Sequence, residues 1–326
     1  MEVKRGSSGG RAAGVGAPPT PPGLTAERVE GVVALAIQET TRLEKLRVAT
    51  LNIWNKAGPW AERLPLIRRQ VKDLSPDLLG LQEVLRLIPD EKQPPVPAPD
   101  NDQASEIAEG LGYNIAYGIA ADYSGGLKFG NALLTRYKIL DSRTFRLPGA
   151  DSGETRSLLY AVLETPWGKL PVFVTHLNWK LHHGVVRVKQ CVYTAERIFV
   201  LAPVEADFLP PILMGDLNAS PDTDEIRYLR GEHVIDGRSV YFADVWEYAD
   251  PPRPGYTFAR DNAYACKNGE PNRRIDYIFV RGPDKDMRGE PSNVQLAFTE
   301  SVPGAEGPVW ASDHYGVVCD LTMTKK

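Results

Sequence analysis

Short apolar runs alternate along this chain with stretches in which apolar residues recur every three or four positions. Runs rich in Val, Ile, Leu, Phe and Tyr are typical of strands, and they stand at 47–53, 77–82, 113–119, 131–136, 158–164, 170–177, 211–217, 274–280 and 317–323. The helical spacing predicts helices at 61–74, 104–110, 185–201 and 222–229. This alternation of strands and helices predicts an α/β fold with extensive sheet.

The first 45 residues precede this alternation and fall into two parts. Residues 1–24 are rich in Gly, Pro and Ala with little to bury, which predicts a disordered head. Residues 25–45 carry apolar residues at helical spacing, and we expect a helix that docks on the domain or leads into it, in preference to one that binds a partner. Residues 46–323 are then predicted to form a single domain, interrupted by a polar, Pro-rich loop at 89–103 and a long polar and aromatic loop at 249–271.

Composition narrows the class of protein without deciding its function. The formal net charge is −4 and the pI is near 5.8, so the overall field does not favour polyanions as that of a dedicated DNA-binding domain would. The three cysteines are scattered and lack metal-ligand spacing, which argues against a disulfide framework or a zinc site. The sequence shows neither a spanning apolar run nor a secretory signal, so we expect a cytoplasmic protein with no obligate protein partner evident.

Polar side chains that can do chemistry follow several of the predicted strands. They occur in the order Asn52, Glu83, His176 with Asn178, Asp216 with Asn218, and Asp313 with His314. Asp216 and Asn218 are two residues apart, so they would share one face of a strand, although a polar turn after a strand explains them equally well. Glu83 and Asn52 offer hard oxygen ligands of the kind that suit Mg²⁺ or Mn²⁺.

Asp276 stands inside an apolar strand, where an unpaired carboxylate is costly. It therefore needs a partner. Arg273 or Arg274 would form a structural ion pair with it, whereas His314 would form a carboxylate and imidazole dyad suited to catalysis. The spacing leaves both alternatives open.

These motifs, taken together and in this order, resemble the endonuclease/exonuclease/phosphatase superfamily. The resemblance covers roughly residues 46–323 and is carried by Asn52, Gln82-Glu83-Val84, Thr175-His176-Leu177, Gly215-Asp216-Leu217-Asn218, Arg274-Ile275-Asp276-Tyr277 and Ser312-Asp313-His314. It implies a four-layer α/β sandwich in which two facing β-sheets are flanked by helices, with the site at one end. It also implies a hydrolase of phosphate esters that requires Mg²⁺ or Mn²⁺.

The resemblance implies a metal side of the site. Glu83 would hold the metal, Asn52 would be a ligand or would position one through water, and Asp313 would support the metal or its waters. An anionic phosphodiester repels nucleophiles, so a cation that neutralises its oxygens is a physical requirement of the reaction.

The resemblance also implies a catalytic side. Asp216 would orient or deprotonate the attacking water, and Asn218 would hold that water or the phosphate. His314, paired with Asp276, would stabilise the developing charge or act as acid and base, and His176 would donate a hydrogen bond to a nonbridging phosphate oxygen.

Other candidates for the site are weaker. Arg156 and Asn178 are predicted to contact substrate, although a solvated surface position explains Arg156 equally well. Arg187 and Gln190 lie opposite the apolar stripe of the helix at 185–201, so we expect them to face water.

The substrate stays open at this point. Members that nick DNA at abasic sites tend to have an Asp two residues after the first-strand Asn, and Trp54 stands there in this chain. A nucleic acid, a nucleotide or a lipid headgroup would each supply the phosphodiester. The alternative is a catalytically inactive module of the same fold that binds phosphate or nucleic acid.

Overall fold

A computed structural model describes residues 43–88, 102–204, 207–265 and 269–325. The predicted head at 1–24 and most of the predicted helix at 25–45 lie outside the described residues, as does most of the predicted loop at 89–103. The first strand already begins at Glu44, two residues before the predicted start of the domain.

The first sheet has six strands. They are β1 (Glu44–Asn52), β2 (Leu78–Leu87), β3 (Asn114–Asp122), β4 (Leu127–Thr135), β11 (Pro291–Ala297) and β14 (Gly316–Met323), in the order β11-β14-β1-β2-β4-β3. Strands β1 and β2 run parallel, and the other neighbours are antiparallel.

The second sheet also has six strands. They are β5 (Lys138–Arg146), β6 (Ser157–Thr165), β7 (Gly168–His176), β8 (Ile212–Asp216), β9 (Ala243–Asp244) and β10 (Asp276–Val280), in the order β5-β6-β7-β8-β10-β9. A separate hairpin consists of β12 (Ser301–Gly304) and β13 (Gly307–Trp310). The helices are α1 (Trp60–Leu74), α2 (Gln103–Ala108), α3 (Gly184–Leu201) and α4 (Asp224–Leu229).

Three apolar clusters show how the layers stack. Alternate residues of a strand point to opposite faces of a sheet, and on β1 Val48 joins the cluster between the two sheets while Leu51 joins the outer cluster under α1 and α2. On β8, Met214 faces the first sheet and Leu213 faces α3 and α4. The fold is therefore the expected four-layer α/β sandwich, with helices on both outer faces.

Within residues 46–323, each predicted strand and helix overlaps one in the structure, but sequence patterns missed β5, β9, β11, β12 and β13. Strand β5 lies at an edge of the second sheet and is mostly exposed, so its sequence carries few apolar residues. Strand β11 is also an edge strand and contains an irregularity between Ser292 and Gln295 that breaks the alternation. None of the helices in the described part of the chain is long and apolar enough to cross a membrane.

Strand register brings the polar motifs to one end of the sandwich. In the second sheet His176 on β7 pairs with Asp216 on β8, and Asp216 in turn pairs with Asp276 on β10. Gly215 permits the close approach of β7 and β8 beside this row, since an added Cβ would lie 1.9 Å from the carbonyl oxygen of Thr175. In the first sheet Asn52 pairs with Gln82, the residue before Glu83.

Candidate active site

The polar ends of both sheets open into one cleft of about 360 Å³. Its lining includes Glu83, His176, Asp216, Asn218, Asp313 and His314. A larger cavity of about 870 Å³ is lined by parts of 199–210, 230–241 and 281–288. These segments adjoin the start of β8 and the end of β10, at the other end of the second sheet, and the cavity contains none of the motif residues. The smaller cleft is therefore the candidate site.

His314 forms the dyad that the sequence left open. Its Nδ1 lies 2.9 Å from Oδ2 of Asp276, while Arg274 instead binds Asp244 at 2.8 Å. Burial opposes the charged imidazole, but the carboxylates of Asp276 and Asp216 outweigh it and hold the pKa of His314 well above its usual range. His314 is therefore an imidazolium at neutral pH, with Nε2 3.8 Å from Asp216.

His176 has the opposite environment. Nη1 of Arg156 lies 3.1 Å from Nδ1 of His176, and a guanidinium can only donate, so Nδ1 carries the lone pair and Nε2 carries the proton. Burial, followed by the charges of Arg156 and His314, holds the pKa of His176 well below its usual range. His176 is thus a neutral hydrogen-bond donor whose Nε2 lies 3.4 Å from Asp216.

Arg156 is buried and hydrogen-bonded to Glu154, and it is not solvated at the surface. Oε2 of Glu154 accepts from Nε at 3.3 Å and from Nη2 at 2.9 Å, and Arg156 is 6% exposed. The surface position considered for Arg156 is therefore wrong. Its remaining role in the described structure is to fix the ring of His176.

Asp216 is the carboxylate between the two histidines. It is buried, and burial together with the charge of Asp276 raises the pKa of Asp216 to about 7. Its Oδ2 accepts from the Asn52 amide at 3.0 Å. A carboxylate that titrates near neutral pH is well suited to exchange a proton with water.

Asn218 does not share the strand with Asp216, contrary to the same-face prediction. Strand β8 ends at Asp216, and Asn218 takes a left-handed backbone with φ 52°. Its backbone N–H donates to Oδ1 of Asp216 at 2.8 Å, and its side-chain amide donates to the carbonyl of Leu177 at 3.1 Å. Asn218 still lines the cleft, because this turn folds it back over Asp216.

Glu83 lies at a bulge of β2, between Leu81 and Val84, with a positive φ of 60°. Such a backbone is strained for a non-glycine residue, and strain of this kind is concentrated at functional sites. The carboxylate of Glu83 accepts only neutral amides, from Asn55 at 2.8 Å and from Asn52 at 3.3 Å, among the described residues.

Asn52 offers its amide nitrogen to the site rather than its oxygen. The backbone N–H of Trp54 donates to Oδ1 at 3.0 Å, which turns Nδ2 toward Glu83 and Asp216. The resemblance implied two roles for Asn52. The orientation of its amide does not fit direct ligation of a metal, but it fits the role of positioning the neighbouring carboxylates.

Two sets of groups could hold a cation. Donor atoms of Asp216, Asp276 and His314 all lie within 4.8 Å of one another, but the positive charge on His314 would repel a metal there. Glu83 and Asp313 form the other set: burial raises the pKa of Asp313 to about 6, and the charge of Glu83 adds to the rise. A divalent cation would relieve that repulsion and find hard oxygen ligands, so this second set fits the metal better.

Sequence patterns missed Arg63, which joins the backbone after β1 to the segment that precedes Asp313. It is fully buried on α1 and donates to the carbonyls of Ala311 at 3.1 Å, Ala57 at 2.6 Å and Ile53. Its guanidinium also lies 5.0 Å from the ring of Trp54. The positions of its partners, far apart in sequence, could not be inferred from a lone Arg in a helical stretch.

Asn178, Arg187 and Gln190 belong to one buried network beside the cleft. The Asn178 amide donates to Ser152 at 2.7 Å and to His183 at 3.1 Å, and its oxygen accepts from Gln190 at 2.7 Å. Arg187 and Gln190 are 5% and 0% exposed, so the expectation that they face water is wrong. Sequence reasoning failed because it treated the face opposite the apolar stripe as a solvent face, whereas the loop 177–183 covers it.

Comparison with known proteins agrees with this geometry. The model of the Endonuclease/Exonuclease/phosphatase family matches residues 49–314. The Escherichia coli K12 protein described as "Uncharacterized protein YbhP" is 30% identical over 184 residues, which are 55% of this chain and 69% of that protein.

Solved structures share the fold. An endonuclease/exonuclease/phosphatase from Beutenbergia cavernae superposes with a TM-score of 0.62 and 24% identity, over 86% of this chain and 72% of that one. TDP2 of D. rerio, complexed with a single strand DNA product, gives 0.64 and 21% identity over 85% and 99%. At these identities the likeness establishes the four-layer fold.

Proposed function

The chain belongs to the endonuclease/exonuclease/phosphatase family, and on that premise we propose that it is a divalent-metal-dependent hydrolase of a phosphodiester. The observation that carries the proposal is the row formed by His176, Asp216 and Asp276 on three neighbouring strands. His314 is hydrogen-bonded to Asp276 at the end of this row. This arrangement sets one carboxylate of raised pKa between a neutral donor and a cation. A base for water and hydrogen-bond donors for the phosphate oxygens are functions that hydrolysis of a phosphodiester uses.

Glu83 and Asp313 would hold Mg²⁺ or Mn²⁺ at the other side of the cleft, with Asn52 positioning Glu83. When bound, the ion would neutralise phosphate oxygens and act as a Lewis acid. The bulge at Glu83 and the Arg63 contacts hold these groups in place before any ligand arrives.

Asp216 accepts the proton of the attacking water in the proposed reaction. Its oxygens already accept from Asn52 and from the backbone of Asn218, so the carboxylate cannot rotate freely. Asn218 lies beside Asp216 at the cleft wall and would help to hold the water or the phosphate.

The two histidines serve different phosphate oxygens. His176 offers a neutral Nε2–H to a nonbridging oxygen, and His314 offers a charged Nε2–H to the oxygen on which negative charge grows. Arg156 and Asn178, expected as substrate contacts, are proposed instead as positioning residues, because the described structure takes up their polar groups. A guanidinium behind His176 also adds positive potential to the site.

Hydrolysis of bis(p-nitrophenyl) phosphate tests this proposal. We expect turnover that requires Mg²⁺ or Mn²⁺, stops in EDTA, and falls by about a thousandfold in Asp216→Asn. Asp224→Asn, an exposed residue on α4, is the matched control and should retain full activity. Hydrolysis that survives EDTA or the Asp216 variant would overturn the proposal.

Nicking of supercoiled plasmid, run beside it with His314→Ala to exclude contaminating nuclease, asks whether a nucleic acid is accepted. The DNA product bound by D. rerio TDP2 makes this arm worthwhile. Absence of nicking, with turnover of the small diester, would assign the enzyme to nucleotide, lipid or other small phosphate esters.

A further inference from the structure

Two apolar side chains are exposed at the mouth of the candidate site. Trp179 is 57% exposed and Leu181 is 68% exposed, and both line the cleft that contains His176 and Asp216. A single exposed apolar residue on a surface needs no explanation. Two of them beside a catalytic cleft are typical of a ligand-binding wall.

The backbone that carries these side chains is fixed from beneath. Nη1 of Arg187 donates to the carbonyls of Asn178 at 3.2 Å and Lys180 at 2.9 Å. Gln190 accepts from the backbone N–H of Asn178 at 3.1 Å, and Glu154 accepts from that of Trp179 at 3.3 Å.

The charged side chains that fix this backbone are themselves held by ion pairs. Arg187 binds Glu225 at 2.8 Å, with both side chains buried, and Glu154 binds Arg156. An exposed loop whose backbone is fixed by hydrogen bonds to such held groups loses little freedom when a ligand binds, which raises affinity at the rim. We call Trp179 and Leu181 the apolar rim.

The charge of the cleft limits what can lie against the apolar rim. Among the described residues that line it, the acidic groups are Glu83, Asp216, Glu270 and Asp313, while Arg273 is paired with Glu270 and His314 with Asp276. Binding along a duplex depends on many Lys and Arg contacts to phosphates. This cleft favours one phosphate in its centre and an uncharged group on the apolar rim.

We propose that the apolar rim binds a planar aromatic ring attached to the scissile phosphate, by stacking on Trp179 with Leu181 at its edge. The substrate is then a small or single-stranded phosphate ester with an unpaired aromatic group, either a nucleobase or an aryl ester. This inference rests on the proposed function, which places the phosphate beside His176. Indole is a large, rigid stacking surface, and stacking on an aromatic side chain is a main source of affinity for unpaired bases.

Calorimetric titration in Mg²⁺ of two phosphonates tests the proposal without any need for turnover. Phenylphosphonate and methylphosphonate share the charged group and differ in the ring. We expect the protein to bind phenylphosphonate about fivefold or more tightly, the low end of what stacking contributes. Trp179→Ala should remove this preference and leave the affinity for methylphosphonate unchanged, while Trp179→Phe should retain most of it.

Tyr241→Ala is the matched control, because Tyr241 is 60% exposed at the other cavity and should not alter the preference. Thymidine 5′-phosphate, titrated beside phenylphosphonate, separates the two sources of the ring: the ligand that loses more affinity in Trp179→Ala identifies the class. An unchanged preference in Trp179→Ala would overturn the proposal. Loss of the preference in a protein that hydrolyses no phosphodiester would support the apolar rim and refute the proposed function.

Discussion

His176 and His314 approach the same carboxylate oxygen of Asp216, at 3.4 and 3.8 Å, from opposite sides of the site. Both are buried imidazoles, yet their pKa values move in opposite directions. Burial lowers the pKa of both rings; at His176 the Arg156 guanidinium adds to this effect, whereas at His314 the carboxylates of Asp276 and Asp216 outweigh it. The charge of a buried histidine is thus decided by the charged groups around it, while burial alone would make both rings neutral.

The largest loss of activity should follow from substitutions that remove His314 or its positive charge. Asp276→Asn removes the charge that keeps His314 protonated, so we expect kcat to fall by about a hundredfold to a thousandfold. The kcat of His314→Ala should fall at least as far. Steady-state kinetics on bis(p-nitrophenyl) phosphate measures both, and Asp244→Asn, which breaks the neighbouring buried pair with Arg274, is the control for structural damage. Equal losses in all three would mean that stability, and not charge on His314, causes the defect.

Activity should be less sensitive to a substitution that affects His176. Arg156→Met removes the donor that fixes the His176 ring, and we expect kcat to fall by about tenfold to a hundredfold with a smaller change in KM. Arg156→Lys restores one donor and the charge, so it should recover part of the loss. A variant whose KM rises while kcat stays constant would instead show that Arg156 contacts substrate, as the sequence suggested.

The pH dependence of kcat/KM should be bell-shaped. Asp216 acts ionised, so activity rises with pH through its pKa, which is about 7 without metal and lower when a nearby cation is bound. His314 acts protonated, and activity falls only when pH passes its raised pKa. Asp276→Asn should move the alkaline limb to lower pH, and because the charge of Asp276 also raises the pKa of Asp216, its loss acts to move the acid limb in the same direction. An alkaline limb that does not move would remove His314 from the mechanism.

The smallest effect is on stability. The folded pKa of His176 lies below the unfolded value of 6.5, so the unfolded chain binds more protons and the contribution of His176 to stability is lost as pH falls through 6.5. Urea unfolding of the wild type and of His176→Gln at pH 8 and pH 5.5 isolates this contribution. The wild type should lose more free energy of unfolding between the two pH values, and an equal loss would contradict a neutral, buried His176.

Apolar patterns predicted an α/β fold with extensive sheet because buried strands leave local signals. The four-layer arrangement and the grouping of His176, Asp216 and Asp276 in one site were implied by the family resemblance, while their place as a row on three neighbouring strands was not predicted. The partners of Arg63 and Arg187 could not be predicted, since each depends on loops distant in sequence that fold over a buried guanidinium. Edge strands such as β5 were missed because exposure removes the apolar alternation that marks a strand.

The opposite charges of His176 and His314 can be read directly by ¹⁵N NMR of the ring nitrogens at neutral pH. We expect His176 to show a bare Nδ1 and a protonated Nε2, and His314 to show two protonated nitrogens. Asp276→Asn should convert His314 alone to a neutral ring, and Arg156→Met should release the tautomer of His176 alone. Two neutral rings in the wild type, or a proton on Nδ1 of His176, would contradict the division of charge on which the proposed reaction depends.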